Sequence, residues 1–404
     1  MLAAVASVVL ARRKGEGIGL RQSLELSFVS DLPPLTYFSV DSLAEGVGAS
    51  QVLPYVERLA QRGMTVVLHS FEKGEPGSGT RRRLDAAGAR WHPHPFGAAG
   101  PAGGLLRVAR GARFVAGAEL VHARSDLAAA SAVVSRCRAW VWDMRALWRE
   151  QRMELGLLRP GSIEERVMRR VERAAAARSA AIITLSRAAV TVLGDRFGPE
   201  VWHKSRVITT CVDLRRFTVS GWQRGSEVRF LLAGTLNTVY DVPGMTRFVE
   251  RFRALQPAHL HVVAPAPGPW HGELEAAGAT FGSSTPEGMP SVIADHDVGL
   301  SMLRSGISTR AAMPTKIGEL LACGRPVVVS GRVGDLDDLL ARYDCGVVVG
   351  DGSEEELQRG TLELRRLLAD EETPARCRRL AEEHFDLERG VDALIDTYRE
   401  ALAC

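Results

Sequence analysis

The sequence predicts an α/β protein of two domains, each a parallel sheet wrapped by helices, and three observations carry that reading. Short β-branched runs alternate with amphipathic helical segments from Thr36 to Thr210. A polar, glycine-containing stretch, "RFTVSGWQRGSEVRF", then interrupts the alternation, which restarts at "VRFLLAG". Finally, 404 residues are too many for one ordinary core and suit two.

Taken in order, "TYFSV", "TVVLHSF", "LVHAR", "AWVWDM", "AAIITLS" and "RVITT" read as the strands of a first Rossmann-like unit. Between them, "SQVLPYVERLAQRG" and "EERVMRRVERAAAARSA" place apolar residues at helical spacing with charged outer faces. The second unit takes its strands from "VRFLLAG", "HLHVVAP", "DVGLSML", "PVVVSG" and "CGVVVG", with "EEELQRGTLELRRLLAD" among its helices. The last segment, "LERGVDALIDTYREAL", is a helix with no strand after it, and is expected to cross back to the first domain. The expected division is an extension over 1–34, disordered, a first domain over 35–220 joined by 388–404, and a second over 221–387.

Composition narrows the function. With 51 basic against 48 acidic residues the net charge is only +3, far from the basic field that a nucleic-acid partner needs. Six cysteines without a CxxC pair read as reduced thiols of a cytoplasmic protein, so neither a disulfide framework nor a metal centre is expected. The opening "MLAAVASVVLARRKGEG" carries its charges after a short apolar run, which fits neither a secretory signal nor a membrane span. It reads as an extension, with weak peripheral contact with a membrane as the lesser reading.

Ligands of open α/β sheets bind beyond the carboxyl ends of the strands. After "DVGLSML" comes the loop "RSGISTRAAM" and then "PTKIGELLACG". Proline suits a helix start and glycine its stop, so this segment reads as a short helix whose exposed N–H groups attract phosphate. Thr315 and Lys316 add a hydroxyl and a cation at that head. Lys316 is one of four lysines against 47 arginines, and Glu319 lies one turn further in, within reach of a ribose beyond the phosphates. An isolated KxxE is otherwise an ordinary solvated helix face.

With these residues in view, "MPTKIGELLACGRPVVVS" followed by "GRVGDLDDLL" resembles the donor-site region of retaining glycosyltransferases of family 4. The first half agrees: "YFSVDSLAEGVGASQVLPYVERLAQRG" resembles that family's first strand, glycine-rich loop and helix, and "VHARSD", "WDMRALWREQR", "IITLSRAAV" and "TTCVDLRRF" follow in family order. The resemblance, from about Thr36 to Tyr398, implies the GT-B fold, two Rossmann-like domains facing a cleft, and a nucleotide-sugar donor with a hydroxyl acceptor. It implies that Glu319 holds the ribose, that Thr315 and Lys316 meet the diphosphate, and that no metal or other cofactor takes part. Gly46 and Gly48 would let the first loop approach the donor, although their spacing alone equally fits a tight turn. Ser50 and Gln51 either add donors or simply cap the next helix.

Two departures stand out. Many family members carry glutamates eight positions apart, and the position eight before Glu319 is Ala311; the cation usual near the first strand of the second domain is missing from "AGTLNTVYDV". Lys316 with Arg310 or Arg304 is expected to supply that charge. In the first domain Asp143, Arg145, Arg124 and Ser125 follow strands directly and are expected to face the cleft, Asp143 orienting the acceptor or the transferring sugar and the arginines contacting an anionic group. A structural ion pair is the alternative.

The "HPH" at 92–94, the "HLH" at 259–261 and the "DLD" at 335–337 are set aside as metal motifs, and the basic helix around Arg166 to Arg178 is read as a solvated face, with contact with anionic lipid as the lesser reading. The sequence reading is thus a retaining, metal-independent hexosyltransferase. The rivals are a silent sugar-nucleotide-binding protein and, more remotely, a dehydrogenase, which would need the GxGxxG that neither domain has.

Overall fold

The computed structural model describes Val29 and residues 31–44, 46–221, 225–266, 268–350 and 352–403. Residues 1–28, most of the expected extension, lie outside the described residues. Its end is not disordered: Val29 is 2% exposed and its N–H donates to the Arg62 carbonyl at 2.8 Å, so the ordered domain begins before residue 35.

The first sheet comprises β1 (Leu35–Ser39), β2 (Val66–Glu72), β3 (Arg90–Pro95), β4 (Leu120–Arg124), β5 (Ala139–Asp143), β6 (Ala181–Thr184) and β7 (Ser205–Val207). The second comprises β8 (Val228–Ala233), β9 (Ala258–Val263), β10 (Thr280–Gly282), β11 (Val298–Ser301), β12 (Val327–Ser330) and β13 (Gly346–Val349). All pairings within both sheets are parallel, in the orders β3-β2-β1-β4-β5-β6-β7 and β10-β9-β8-β11-β12-β13. Each order reverses beside its first strand, between β1 and β4 and between β8 and β11, which opens a crevice where ligands of such sheets bind.

Two strands escape the sequence reading, and both are edge strands. "RWHPHP" contains two prolines, which cannot donate to a ladder and argue against a strand; β3 tolerates them because it has one neighbour only. β10 is three residues long and follows no apolar run.

Central strands are buried on both faces, as parallel sheets under helices require, and β4, β5, β6, β11 and β12 expose no residue. The C-terminal helix Leu387–Ala403 buries Leu387, Val391, Leu394, Ile395, Tyr398 and Ala401 in the first-domain core, against Tyr55, Leu120 and Val141. Gly390 permits this approach: a Cβ there would lie 2.8 Å from both the Cys211 Sγ and the Tyr55 hydroxyl.

The two chain crossings between domains run side by side. Val212 bonds across them to both neighbours of Asp386, its N–H donating to Phe385 O at 2.7 Å and its carbonyl accepting from the Leu387 N–H at 3.1 Å. Arg58 ties both, pairing with Asp213 at 2.8 Å and Glu388 at 2.9 Å. Asp213 therefore fixes the crossing.

Candidate functional site

The helix Thr315–Ala322 opens after Pro314, and no side chain among the described residues caps it. Its burial of Ile317, Leu320 and Leu321 aims the head at the carboxyl end of β8. Lys316 crosses to that strand end. Its ammonium donates to the Ala233 carbonyl and lies 4.4 Å from the centre of the Tyr240 ring. Gly234, at φ +98°, would bring a Cβ to 3.1 Å from Nζ, so the turn needs glycine for conformation and for room. A cation thus stands beside "AGTLNTVYDV" from a different element, at the switch point.

Glu319 is half-buried, and its carboxylate has no hydrogen-bond partner among the described residues. Burial pushes its pKa up, against the pull of Lys316 and Arg216. A desolvated acceptor with open lone pairs beside two cations suits paired hydroxyl donors. Arg216, in the crossing segment, was not singled out from the sequence, where nothing marks one arginine of "LRRF" over the next.

The expected partners of Lys316 do other things. Arg310 is exposed and acts through its backbone, whose carbonyl accepts from Ser186 Oγ at 2.6 Å across the domains. Arg304 stacks on Trp270, 5.3 Å from the ring centre. Ala311 is 1% exposed within the apolar cluster of the first domain that includes Met144, Leu147 and Ala189. A glutamate at this position would bury its charge in that contact.

On the first-domain side, Gly46 is exposed with φ +54° and nothing near its missing Cβ. Gly48 differs. A Cβ there would lie 1.9 Å from the Ser42 carbonyl oxygen, so its small size serves the packing of its own loop. The loop is held from below by Glu72, which accepts from Ser42 Oγ at 2.7 Å and from the Leu43 N–H at 3.1 Å. A single π turn, Gly48–Val52, follows and leads into the helix Leu53–Gln61. Ser50 Oγ donates back to Gly46 O at 3.0 Å, while Gln51, 1% exposed, donates to Cys211 O at 3.2 Å and accepts from Arg145 at 3.3 Å. Gln51 links the loop to the crossing.

Asp143, Arg145 and Arg124 do come together at the strand ends, but Asp143 does not face the cleft. It is 2% exposed; Oδ2 receives Arg124 Nη1 and His122 Nε2, both at 3.1 Å, and Oδ1 receives Arg145 Nη1 at 3.2 Å. Burial alone would push its pKa up, but Arg145, the His122 hydrogen bond and Arg124 outweigh it and hold the carboxyl well below the usual carboxylate range. His122 is pushed down by burial, stacks on Tyr37 and accepts or donates with the Tyr398 hydroxyl at 2.9 Å. This is the structural ion cluster, extended. Buried and held by three donors, this carboxylate fits the ion-pair alternative better than a contact with the acceptor. Asp41, just beyond β1, is the half-buried carboxylate of the network, accepting from Arg124 Nε at 3.2 Å. Ser125 takes φ +81°, a strained conformation for serine, with its hydroxyl buried and unpaired among the described residues.

Several polar contacts join the domains across the cleft. Asp335 accepts from the N–H groups of Arg187 and Ala188, at 2.7 and 3.1 Å, and so caps a first-domain helix from the second domain. Glu154 accepts from the Ser308 N–H at 3.1 Å and from its hydroxyl. Ser186 with Arg310 and Thr210 with Met313 add two more. The "DLD" carboxylate is thereby accounted for. The "HPH" histidines meet a third, His69, but the rings stack and His69 Nδ1 bonds His94 Nε2 at 3.0 Å; no three ligand-type side chains among the described residues converge on a metal position.

Residues 227–367, the second domain, match the family model described as glycosyl transferases group 1. About nine-tenths of the chain also superimposes on solved glycosyltransferases. Sucrose-phosphate synthase from Thermosynechococcus elongatus gives a TM-score of 0.67 at 17% identity, over 92% of this chain and 99% of that one. The fold is GT-B. HepE from Anabaena, solved with UDP and glucose, shares the GT-B architecture with a TM-score of 0.65 at 15% identity, over 90% and 98% of the two chains. WaaG, a glycosyltransferase involved in lipopolysaccharide biosynthesis, gives 0.63 at 14% identity, over 89% and 98%. A comparison with curated protein sequences finds no match.

Proposed function

We propose that this chain is a retaining, metal-independent glycosyltransferase of family 4, acting in the cytoplasm, that moves a sugar from a nucleotide donor to an acceptor hydroxyl. One observation carries the reading: a half-buried, unpartnered Glu319 one turn inside an uncapped helix whose Lys316 reaches the switch point of the second sheet. The match of this same domain to glycosyl transferases group 1 supports it.

In this reading the helix head at Thr315 and Lys316 receives the diphosphate, and Glu319 accepts from the ribose hydroxyls. As the sugar leaves, negative charge grows on the diphosphate, where fixed amide dipoles and an ammonium stabilise it without rearranging. The Asp143 cluster is a positioning device that sets the ends of β1, β4 and β5 and so the acceptor side, leaving Asp41 as its open carboxylate. The contacts of Asp335 and Glu154 close the cleft against water.

HepE binds UDP-glucose, which makes uridine nucleotides the first donors to test. A panel of nucleoside diphosphates should include one that raises the unfolding midpoint, with and without a chelator alike, and product formation from the matching sugar nucleotide should keep the anomeric configuration by NMR. Stabilisation lost to the chelator would end the metal-independent reading, and an inverted product the retaining one. A second reading, a donor-binding protein without turnover, is favoured by the burial of Ala311; ligand stabilisation without any product would establish it.

A further inference from the structure

The helix Ile163–Arg178 was read from its sequence as a solvated face, but its side chains divide in an unusual way. Its three acids all turn inward or sideways. Glu164 meets Arg152 at 2.5 Å, and Glu165 and Glu172 meet Arg149, each at 3.0 Å. Among the exposed residues, Ile163, Arg166, Val167, Arg170 and Arg173 form a stripe at helical spacing, continued by Arg159 and Leu157 in the loop before it, while the exposed Arg169 beside it pairs with Glu165. Arg159, Arg166, Arg170 and Arg173 are exposed and have no carboxylate partner among the described residues. The apolar members stand well out: Ile163 is 76% exposed, Leu157 64% and Val167 50%.

We propose that this stripe docks the protein on an anionic membrane surface. Four unpaired guanidinium groups attract lipid phosphates, and isoleucine, valine and leucine interleaved with them enter the headgroup boundary. The apolar members decide against a nucleic acid, whose phosphates would leave them in water, and the stripe has no aromatic side chain on which bases would stack. Each arginine near such a surface strengthens binding several-fold, so four give a useful association that the small net charge of +3 does not reveal.

Orientation follows from the chain. Leu157 lies three residues beyond Glu154, whose carboxylate holds Ser308 across the cleft. Docking by this stripe sets one mouth of the cleft against the lipid, so the acceptor it meets there is lipid-anchored. That last step rests on the glycosyltransferase reading; membrane binding itself does not.

Flotation of the full chain with phosphatidylglycerol-containing vesicles tests it, with pure phosphatidylcholine vesicles as reference. The wild type should float with the anionic vesicles only, and added salt should release it. Replacing Arg159, Arg166, Arg170 and Arg173 by glutamine should lower the partition coefficient roughly a hundredfold. The pair Ile163→Ser and Val167→Ser should weaken binding while leaving its salt dependence. All these side chains are exposed, so unfolding midpoints and nucleoside diphosphate binding should not move, which separates failure here from failure of the donor site. Equal flotation of wild type and the glutamine variant would overturn the proposal. So would binding to a polyanion such as heparin that depends on the arginines, with no effect of Ile163→Ser on vesicles.

Discussion

Asp143→Asn separates the buried cluster from a catalytic role more sharply than any other substitution in the first domain. The change keeps the shape and removes the charge between Arg124, which is 2% exposed, and the half-buried Arg145. Breaking a buried pair from one side costs about 3–5 kcal/mol, because the remaining charges stay desolvated. For a unit of this size that corresponds to a fall of roughly 6–20 °C in the unfolding midpoint. The pH dependence has a defined sign. The folded-state pKa of Asp143 lies below its ordinary value of 3.8, so its stabilisation is complete above that value and is lost as pH falls below it. Thermal unfolding followed by circular dichroism from neutral to acid pH should therefore show a large gap between wild type and variant at pH 7 that narrows under acid. Nucleoside diphosphate affinity, measured below both midpoints, should be unchanged. A variant as stable as wild type that has lost turnover would refute the structural assignment and return Asp143 to the acceptor.

Two further outcomes follow from the cleft. Lys316→Ala removes a charge-assisted contact to the diphosphate of about 1.5–3 kcal/mol, and steady-state kinetics should show more of that loss in kcat than in donor affinity, since charge grows as the leaving group departs. Asp335→Ala strips an interdomain helix cap, which should cost on the order of 1 kcal/mol and make the cleft-facing loop Arg304–Met313 more susceptible to limited proteolysis in the absence of donor, with protection restored by saturating nucleotide.

Much of the scaffold was legible because its signals are local and repeated. Eleven of the thirteen strands lie on apolar runs bounded by turn residues, and the two that do not, β3 and β10, sit at edges where a strand needs less apolar surface and tolerates proline. Lys316 and Glu319 could be singled out because proline, lysine and glutamate share one short helix. The rest of the site depends on distance through space. Nothing in "LRRF" or "NTVYDV" announces that Arg216 will lie beside Glu319 or Tyr240 under Lys316. Asp143 misled because a residue just past a strand normally faces the crevice; three donors from β4, from the loop after β5 and from the His122 ring instead draw its carboxylate inward. Gly48, likewise, has its closest contact within its own loop.

The most direct test of the donor site is calorimetric titration of wild type and Glu319→Gln with the nucleoside diphosphate that stabilises the protein, alongside its 2′,3′-dideoxy analogue. Glutamine keeps the size and one acceptor but loses the charge-assisted hydrogen bonds, so the natural nucleotide should bind about tenfold more weakly, while the dideoxy analogue should bind both proteins alike. Because burial raises the pKa of Glu319, wild-type affinity should also fall as pH drops through the range where that carboxyl takes up its proton, and the glutamine variant should show no such fall. Equal affinity of the two proteins for the natural nucleotide, or an equal loss with the dideoxy analogue, would contradict the placement of the donor at this helix.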